Sequence, residues 1–272
     1  MQFHEVGMQF QKVGNIKICY KLFGAGYPLV LISGFTSSMD WWDPEMIEYL
    51  SRKYKVLIFD NRGAGRTETP ENEVFTIEMF ANDTVSLMRS LGIDRANIIG
   101  YSLGGLIAQA LALKYSQNVN RLVLCSTFPG GKDMIPPSRE VMKIFMDKSG
   151  GYEEQFKRNI FLMFPDSYFK SNIDYFLNFK ERYMEAPISL ANAKRQFVAG
   201  LSTSTYDHLH NINIPTLVMT GEEDILIPPE NSEKIAEQIP RAKLIKYKGA
   251  GHGFMSQMRD CFLEDLSNFF PA

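Results

Sequence analysis

Short, nearly uninterrupted apolar runs alternate with helix-like stretches along most of this sequence, and no other feature constrains the fold as strongly. Residues 28–33 form one such run, and 55–59, 97–99, 121–125 and 216–220 resemble it. A strand with one wet face alternates apolar and polar side chains. A continuous run suits a strand buried on both faces, as in a parallel sheet with helices above and below. Residues 15–22 differ. There Ile16, Ile18, Tyr20 and Leu22 alternate with other residues, the pattern of a half-buried antiparallel strand.

Helical patterns separate the runs. Residues 44–50 make a short one. Residues 76–91 open on Thr76, a candidate N-cap, and put Ile77, Phe80, Val85 and Met88 on one side. Residues 103–115 are rich in Leu and Ala, strong helix formers. Residues 229–238 begin with a proline suited to a first helical turn, and 257–270 close the chain. The expectation is an α/β fold with a mostly parallel central sheet flanked by helices.

The alternation stops between residues 129 and 205. No buried strand is legible there. Residues 140–147, 153–164 and 171–184 instead read as amphipathic helices, and eight of the chain's 20 phenylalanines fall in this stretch. The pattern resumes at Ile214. The expected organisation is therefore a first part of the sheet core over 1–128, a helical cap insertion over 129–205, and a second part of the core over 206–272.

A formal net charge of −2 gives no electrostatic case for nucleic acid or an anionic membrane. The apolar runs are strand-sized, far short of the ~20 residues of a membrane span. The N-terminus lacks the basic start and apolar run of a signal peptide. Cys19, Cys125 and Cys261 are odd in number and widely spaced, so no disulfide framework follows, and a cytoplasmic setting is expected. The heptad Met1-Gln2-Phe3-x-x-Val6-Gly7 recurs at once as Met8-Gln9-Phe10-x-x-Val13-Gly14. Two copies are too few for a repeat architecture.

Gly100-Tyr101-Ser102-Leu103-Gly104 matches G-x-S-x-G between a strand-like run and a strong helix. That context suits a nucleophilic serine held on a sharp, strained turn, with a helix N-terminus beside it. Serine needs a base to take its proton. Of four histidines, His4 lies in a terminal segment, and His208 and His210 lie in a polar loop with no cysteine or carboxylate cluster to make a metal site. His252 follows a strand-like run within Gly249-Ala250-Gly251-His252-Gly253, on a loop where ligand sites of parallel sheets lie. A carboxylate between serine and histidine completes the order Ser…Asp…His. Asp224, just past the 216–220 run, is the candidate acid. Glu222 and Glu223 are its rivals.

With these pieces the chain resembles the α/β-hydrolase family, and within it the esterase, non-haem haloperoxidase and enol-lactonase relatives. Four signatures carry the resemblance in order: Leu31–Phe35 with Trp41 and Trp42 after it, Asp60–Thr67, the Gly100–Gly104 elbow, and Gly221…Asp224…His252. The resemblance implies an oxyanion hole formed by the backbone N–H groups of Phe35 and Leu103. The family's usual His-Gly is here Ser33-Gly34. Asp60–Thr67 reads as a charged turn that braces the elbow. Serine at the elbow argues against haloalkane dehalogenases and epoxide hydrolases, which use aspartate. Gly34-Phe35-Thr36-Ser37-Ser38 lacks the glycine-rich stretch with proline usual in prolyl iminopeptidases and carbon–carbon bond hydrolases. The resemblance thus implies a serine hydrolase cleaving a small, largely apolar carboxylic ester or lactone through an acyl-enzyme, with no cofactor or metal. Perhydrolase or haloperoxidase side activity is one alternative. A ligand receptor or signalling partner that keeps the triad is another, since fold does not dictate function.

Overall fold

In the computed structural model, which describes residues 6–270, the apolar runs pair into one eight-stranded sheet. Its strands are β1 (Val6–Val13), β2 (Ile16–Phe23), β3 (Tyr27–Ile32), β4 (Tyr54–Phe59), β5 (Ala96–Tyr101), β6 (Val119–Cys125), β7 (Thr216–Gly221) and β8 (Ala242–Tyr247). They lie in the order β1-β2-β4-β3-β5-β6-β7-β8. β2 pairs antiparallel with β1 and β4, and every other pairing is parallel.

Successive residues of the central strands feed opposite helix layers, which is why their runs are continuous. Val30, Ile32, Leu57, Ile98 and Leu122 meet α2 (Ile77–Ser90), α3 (Leu103–Lys114) and α9 (Glu230–Gln238) on one face. Leu29, Leu31, Val56, Ile99 and Val123 meet α1 (Pro44–Ser51) and α11 (Arg259–Phe269) on the other. Thr76 caps α2, accepting the Met79 N–H at 3.2 Å. Cys19 and Cys125 are fully buried, and burial raises the Cys19 thiol to about 12 and the Cys125 thiol too, so neither is a ready nucleophile. From β3 the chain crosses to β4 on one side and later returns to β5 on the other. The crevice beyond their C-terminal ends is the switch point where open α/β sheets bind ligands.

Between β6 and β7 lie α4 (Arg139–Met146), α5 (Tyr152–Met163), α6 (Asp166–Ser171), α7 (Ile173–Glu185) and α8 (Leu190–Leu201). Phe156, Ile160, Phe164, Phe176, Phe179 and Tyr183 give this segment an aromatic cluster of its own. The sequence pattern anticipated α4, α5 and α7, but not α6 or α8. The expected final helix is two: α10 (Phe254–Gln257) and α11, separated at Met258. β1 was also unforeseen. The second copy of the repeated heptad builds most of it, while most of the first copy, with His4, lies outside the described residues. As an edge strand β1 leaves Met8 and Phe10 exposed, so burial does not sharpen its sequence pattern.

The Asp60–Thr67 turn is a bracket, and it grips the loop after β3 more directly than the elbow. Fully buried Asp60 accepts the Met39 N–H through Oδ1 and the Arg66 N–H through Oδ2, each at 2.7 Å. Asn61 Nδ2 donates to the Ser33 carbonyl at 2.9 Å. Arg62 forms a fork with Asp83 (2.8 and 2.7 Å) and pairs with Glu73.

Burial, partly opposed by the two N–H bonds, raises the Asp60 pKa to about 6. The folded protein therefore holds this proton more tightly than the unfolded chain does. Its contribution to stability is complete below the unfolded value and is lost as pH rises through about 6. A gap of about two pH units corresponds to about 3 kcal/mol. In urea unfolding, the stability of the wild type minus that of Asp60→Asn should fall by about that much between roughly pH 4 and pH 7. A pH-independent difference would contradict the assignment.

Candidate active site

Ser102 sits between β5 and α3 with φ +54° and ψ −119°, a conformation L-residues avoid. Backbone bonds hold it there. Its N–H donates to the Cys125 carbonyl at 2.9 Å, and its carbonyl accepts from Thr127 Oγ1 at 2.7 Å and the Gly105 N–H at 2.9 Å. The turn is tight enough to require glycine on both sides. A Cβ on Gly100 would lie 2.4 Å from the Gly104 carbonyl oxygen, and one on Gly104 would lie 2.1 Å from that of Ile32. The serine hydroxyl makes no capping bond to α3.

Asp224 follows β7, and His252 lies on the loop after β8. Both are almost wholly buried. Asp224 Oδ2 lies 2.7 Å from His252 Nδ1, while its Oδ1 accepts the N–H groups of Leu226 (3.0 Å) and Ile227 (2.8 Å). A carboxylate can only accept, so Nδ1 carries the proton and Nε2 is left as an acceptor. The His252 carbonyl accepts from Ser126 Oγ at 3.1 Å and Tyr101 Oη at 3.4 Å, and the Tyr101 ring lies 5.0 Å from the imidazole. Burial keeps the Tyr101 phenol well above its ordinary pKa, hence a neutral donor. Glu222 and Glu223, the rival carboxylates, are exposed.

Ser102 and His252 line one cavity of about 530 Å³. Among the described residues no hydrogen bond joins the Ser102 hydroxyl to His252. The Gly34 backbone lies against the elbow, where a Cβ would be 3.1 Å from the Ser102 Cβ. Neither the Phe35 nor the Leu103 N–H donates to an acceptor among the described residues.

The fold around this site matches the family model described as alpha/beta hydrolase fold, over residues 27–257. The chain belongs to the α/β-hydrolase family. Among relatives, it is 27% identical over 266 residues to "Putative carbamate hydrolase RutD" of Azorhizobium caulinodans, covering 96% of this chain and 98% of that one. It is 28% identical to a non-heme chloroperoxidase of Streptomyces lividans, covering 94% and 96% of the two chains. Among solved structures, a hydrolase from Pseudomonas aeruginosa superposes with a TM-score of 0.84 at 25% identity, covering 98% and 99%.

Within this α/β-hydrolase, the residues singled out in the sequence converge on the C-terminal edge of the sheet. His208 and His210 do not. They lie exposed on a helical turn, Tyr206–Asn211, and do not line the cavity. One contributor to the site had no sequence signature. Gln196 of α8, fully buried, accepts the Thr36 N–H at 3.0 Å and donates to the Arg62 carbonyl at 3.1 Å. With Asn61 it pins the Ser33–Ser37 loop, which does without the family's usual histidine. Facing the cavity, Phe35 of this loop meets Phe145 of α4 at 5.5 Å and Phe197 of α8 at 6.1 Å between ring centroids.

Proposed function

We propose that this α/β-hydrolase is a serine hydrolase that cleaves a small, largely apolar carboxylic ester or lactone. The buried Asp224–His252 bond, with His252 and a strained Ser102 lining one cavity, is the observation that carries this reading. His252 Nε2 takes the Ser102 proton as Oγ attacks the carbonyl carbon. The Phe35 and Leu103 N–H groups receive the oxyanion. The tetrahedral intermediate collapses, and His252 returns the proton to the leaving alkoxide, leaving an acyl group on Ser102. Water then attacks by the same route and releases the acid. Asp224 holds the imidazole in the tautomer this needs. The Ser102–His252 bond, unformed in this state, closes with substrate present, as such bonds often do.

The helices over 129–205 act as a cap in this scheme. Of the aromatic and methionine side chains they supply, Met142, Phe145 and Met163 line the cavity, Phe156 and Phe164 stay in the aromatic cluster, and Met146 and Phe161 are exposed. A mostly apolar cavity of this size fits a modest acyl or alcohol group. The carbamate in the name of the A. caulinodans relative has the same kind of acyl carbonyl. The chloroperoxidase relative favours a side reaction in which hydrogen peroxide replaces water and leaves as the peracid.

Each methylene that fits an apolar pocket is worth about 1 kcal/mol or somewhat more. Accordingly, kcat/KM on p-nitrophenyl esters from acetate to dodecanoate should climb severalfold per added methylene, pass a maximum, and fall once the cavity is full. A lactone panel run alongside separates the two substrate types. Phe145→Ala and Phe197→Ala should move the maximum to longer chains. A flat profile, or a maximum indifferent to both changes, would count against the cap as the selector.

A further inference from the structure

Beside the Ser33–Ser37 loop, and adjoining the larger cavity, lies a second cavity of about 40 Å³. Its lining includes Ser33, Gly34, Ser37, Trp42, Asp43 and Tyr101. Three polar atoms of that lining stand out: Ser33 Oγ, Trp42 Nε1 and Asp43 Oδ2. Each is shielded from solvent, and none has a hydrogen-bond partner among the described residues. The residues are more than nine-tenths buried, at 3%, 7% and 5% exposure. Buried polar groups in folded proteins are almost always paired. Three atoms without a hydrogen bond, on residues that line one small cavity, point to a common explanation.

We propose that this cavity is a structural hydration site, holding one to about three water molecules that tie the oxyanion loop to the start of α1. The volume allows it, since one buried water needs roughly 10–15 Å³ of such space. The chemistry selects water over other occupants. The Trp42 indole only donates, the Asp43 carboxylate only accepts, and the Ser33 hydroxyl does both. Water can accept from the first, donate to the second, and satisfy the third either way. An anion would face the Asp43 carboxylate. A cation would face the Trp42 N–H and Arg259, whose Nη1 already lies 3.7 Å from Asp43 Oδ2. An apolar occupant would leave all three atoms without a hydrogen bond.

The position gives the waters a task. Asp43 is itself fixed, because its Oδ1 accepts the N–H groups of Glu45 (2.9 Å) and Met46 (3.4 Å) at the start of α1. Gly34, Ser37, Trp41, Tyr101 and Met163 line both cavities. The hydration site therefore adjoins the cavity in which substrate is proposed to lie. Asn61 and Gln196 anchor the loop's backbone, and the waters anchor its Ser33 side chain. Ser33 is then a positioning residue for the Phe35 N–H, a role that rests on the oxyanion reading above.

Two measurements test this. The chain has two tryptophans, so the Trp42 indole N–H is assigned in an 15N spectrum as the signal lost in Trp42→Phe. In wild-type protein that proton should show a cross-relaxation peak to a long-lived water. Absence of the peak, or a crystal structure with Trp42 Nε1 bonded directly to Asp43 across a dry, collapsed cavity, would overturn the site. For the positioning role, Ser33→Ala should lower kcat on a short aryl ester by about threefold to tenfold, the scale of one lost neutral hydrogen bond. KM should stay within about twofold, because the ground-state carbonyl leans little on the oxyanion donors. Unchanged kcat, or a loss confined to KM, would overturn the positioning role. The water peak does not depend on turnover. If it is present in a protein without esterase activity, the serine-hydrolase reading falls and the hydration site stands.

Discussion

Ser102→Gly is expected to abolish turnover and raise the melting temperature in the same protein. Removal of a triad nucleophile typically costs at least ~10⁴-fold in kcat, since only binding and oxyanion stabilisation remain. Ser102→Ala should show that loss with little change in stability, because alanine meets the same backbone constraint at φ +54°. Glycine does not. Releasing one strained residue should yield about 1 kcal/mol or more, or roughly 2–4 °C in a domain of this size. The backbone lock from Cys125, Thr127 and Gly105 remains in both variants, so the elbow should keep its shape. Retained activity in the alanine variant would assign the nucleophile elsewhere. A destabilised glycine variant would mean that the turn stores no strain.

Asp224→Asn should be nearly as damaging, for a different reason. The amide fills the same space, but it can turn its NH2 toward His252 and stabilise the tautomer with the proton on Nε2. The base then has no lone pair facing the serine. A loss of about 10⁴-fold in kcat is the expected scale. Substrate binding should change little, because Asp224 is sealed behind the histidine and is not among the residues lining the cavity. Glu222→Gln and Glu223→Gln should leave activity within about twofold, since both carboxylates are exposed and screened by solvent. Steady-state kinetics on one aryl ester separates these outcomes. A large loss on Glu222→Gln would reassign the acid.

Much of this architecture was legible in the sequence because it rests on burial. Strands covered on both faces are apolar at most positions, so β3 through β7 stood out, and the elbow stood out because its glycines answer to steric contacts close by. Elements whose buried face is not made of large apolar side chains stayed hidden. The face of α8 that packs inward carries Ala193, Gln196, Ala199 and Gly200, so its helical period is written in small and polar residues. β1 lies at a sheet edge, where half-exposed side chains blur any alternation. Gln196 and the Ser33–Trp42–Asp43 group escaped for a related reason. Their significance lies in which groups they meet, or fail to meet, across distant parts of the chain, and no local spacing encodes that.

Ser102 is proposed as the activated nucleophile of a buried Ser-Asp-His arrangement. Treatment of the folded protein with a fluorophosphonate, followed by intact and peptide mass spectrometry, tests it most directly. A nucleophilic serine in such an arrangement displaces fluoride and keeps the phosphonyl group as a stable adduct. One phosphonyl group per chain is predicted, on the peptide that contains Ser102, with hydrolysis lost in proportion to labelling. His252→Ala should react far more slowly, because the proton acceptor is gone. Labelling of another residue with Ser102 unmodified, or full inhibition without any adduct on Ser102, would rule out Ser102 as the nucleophile.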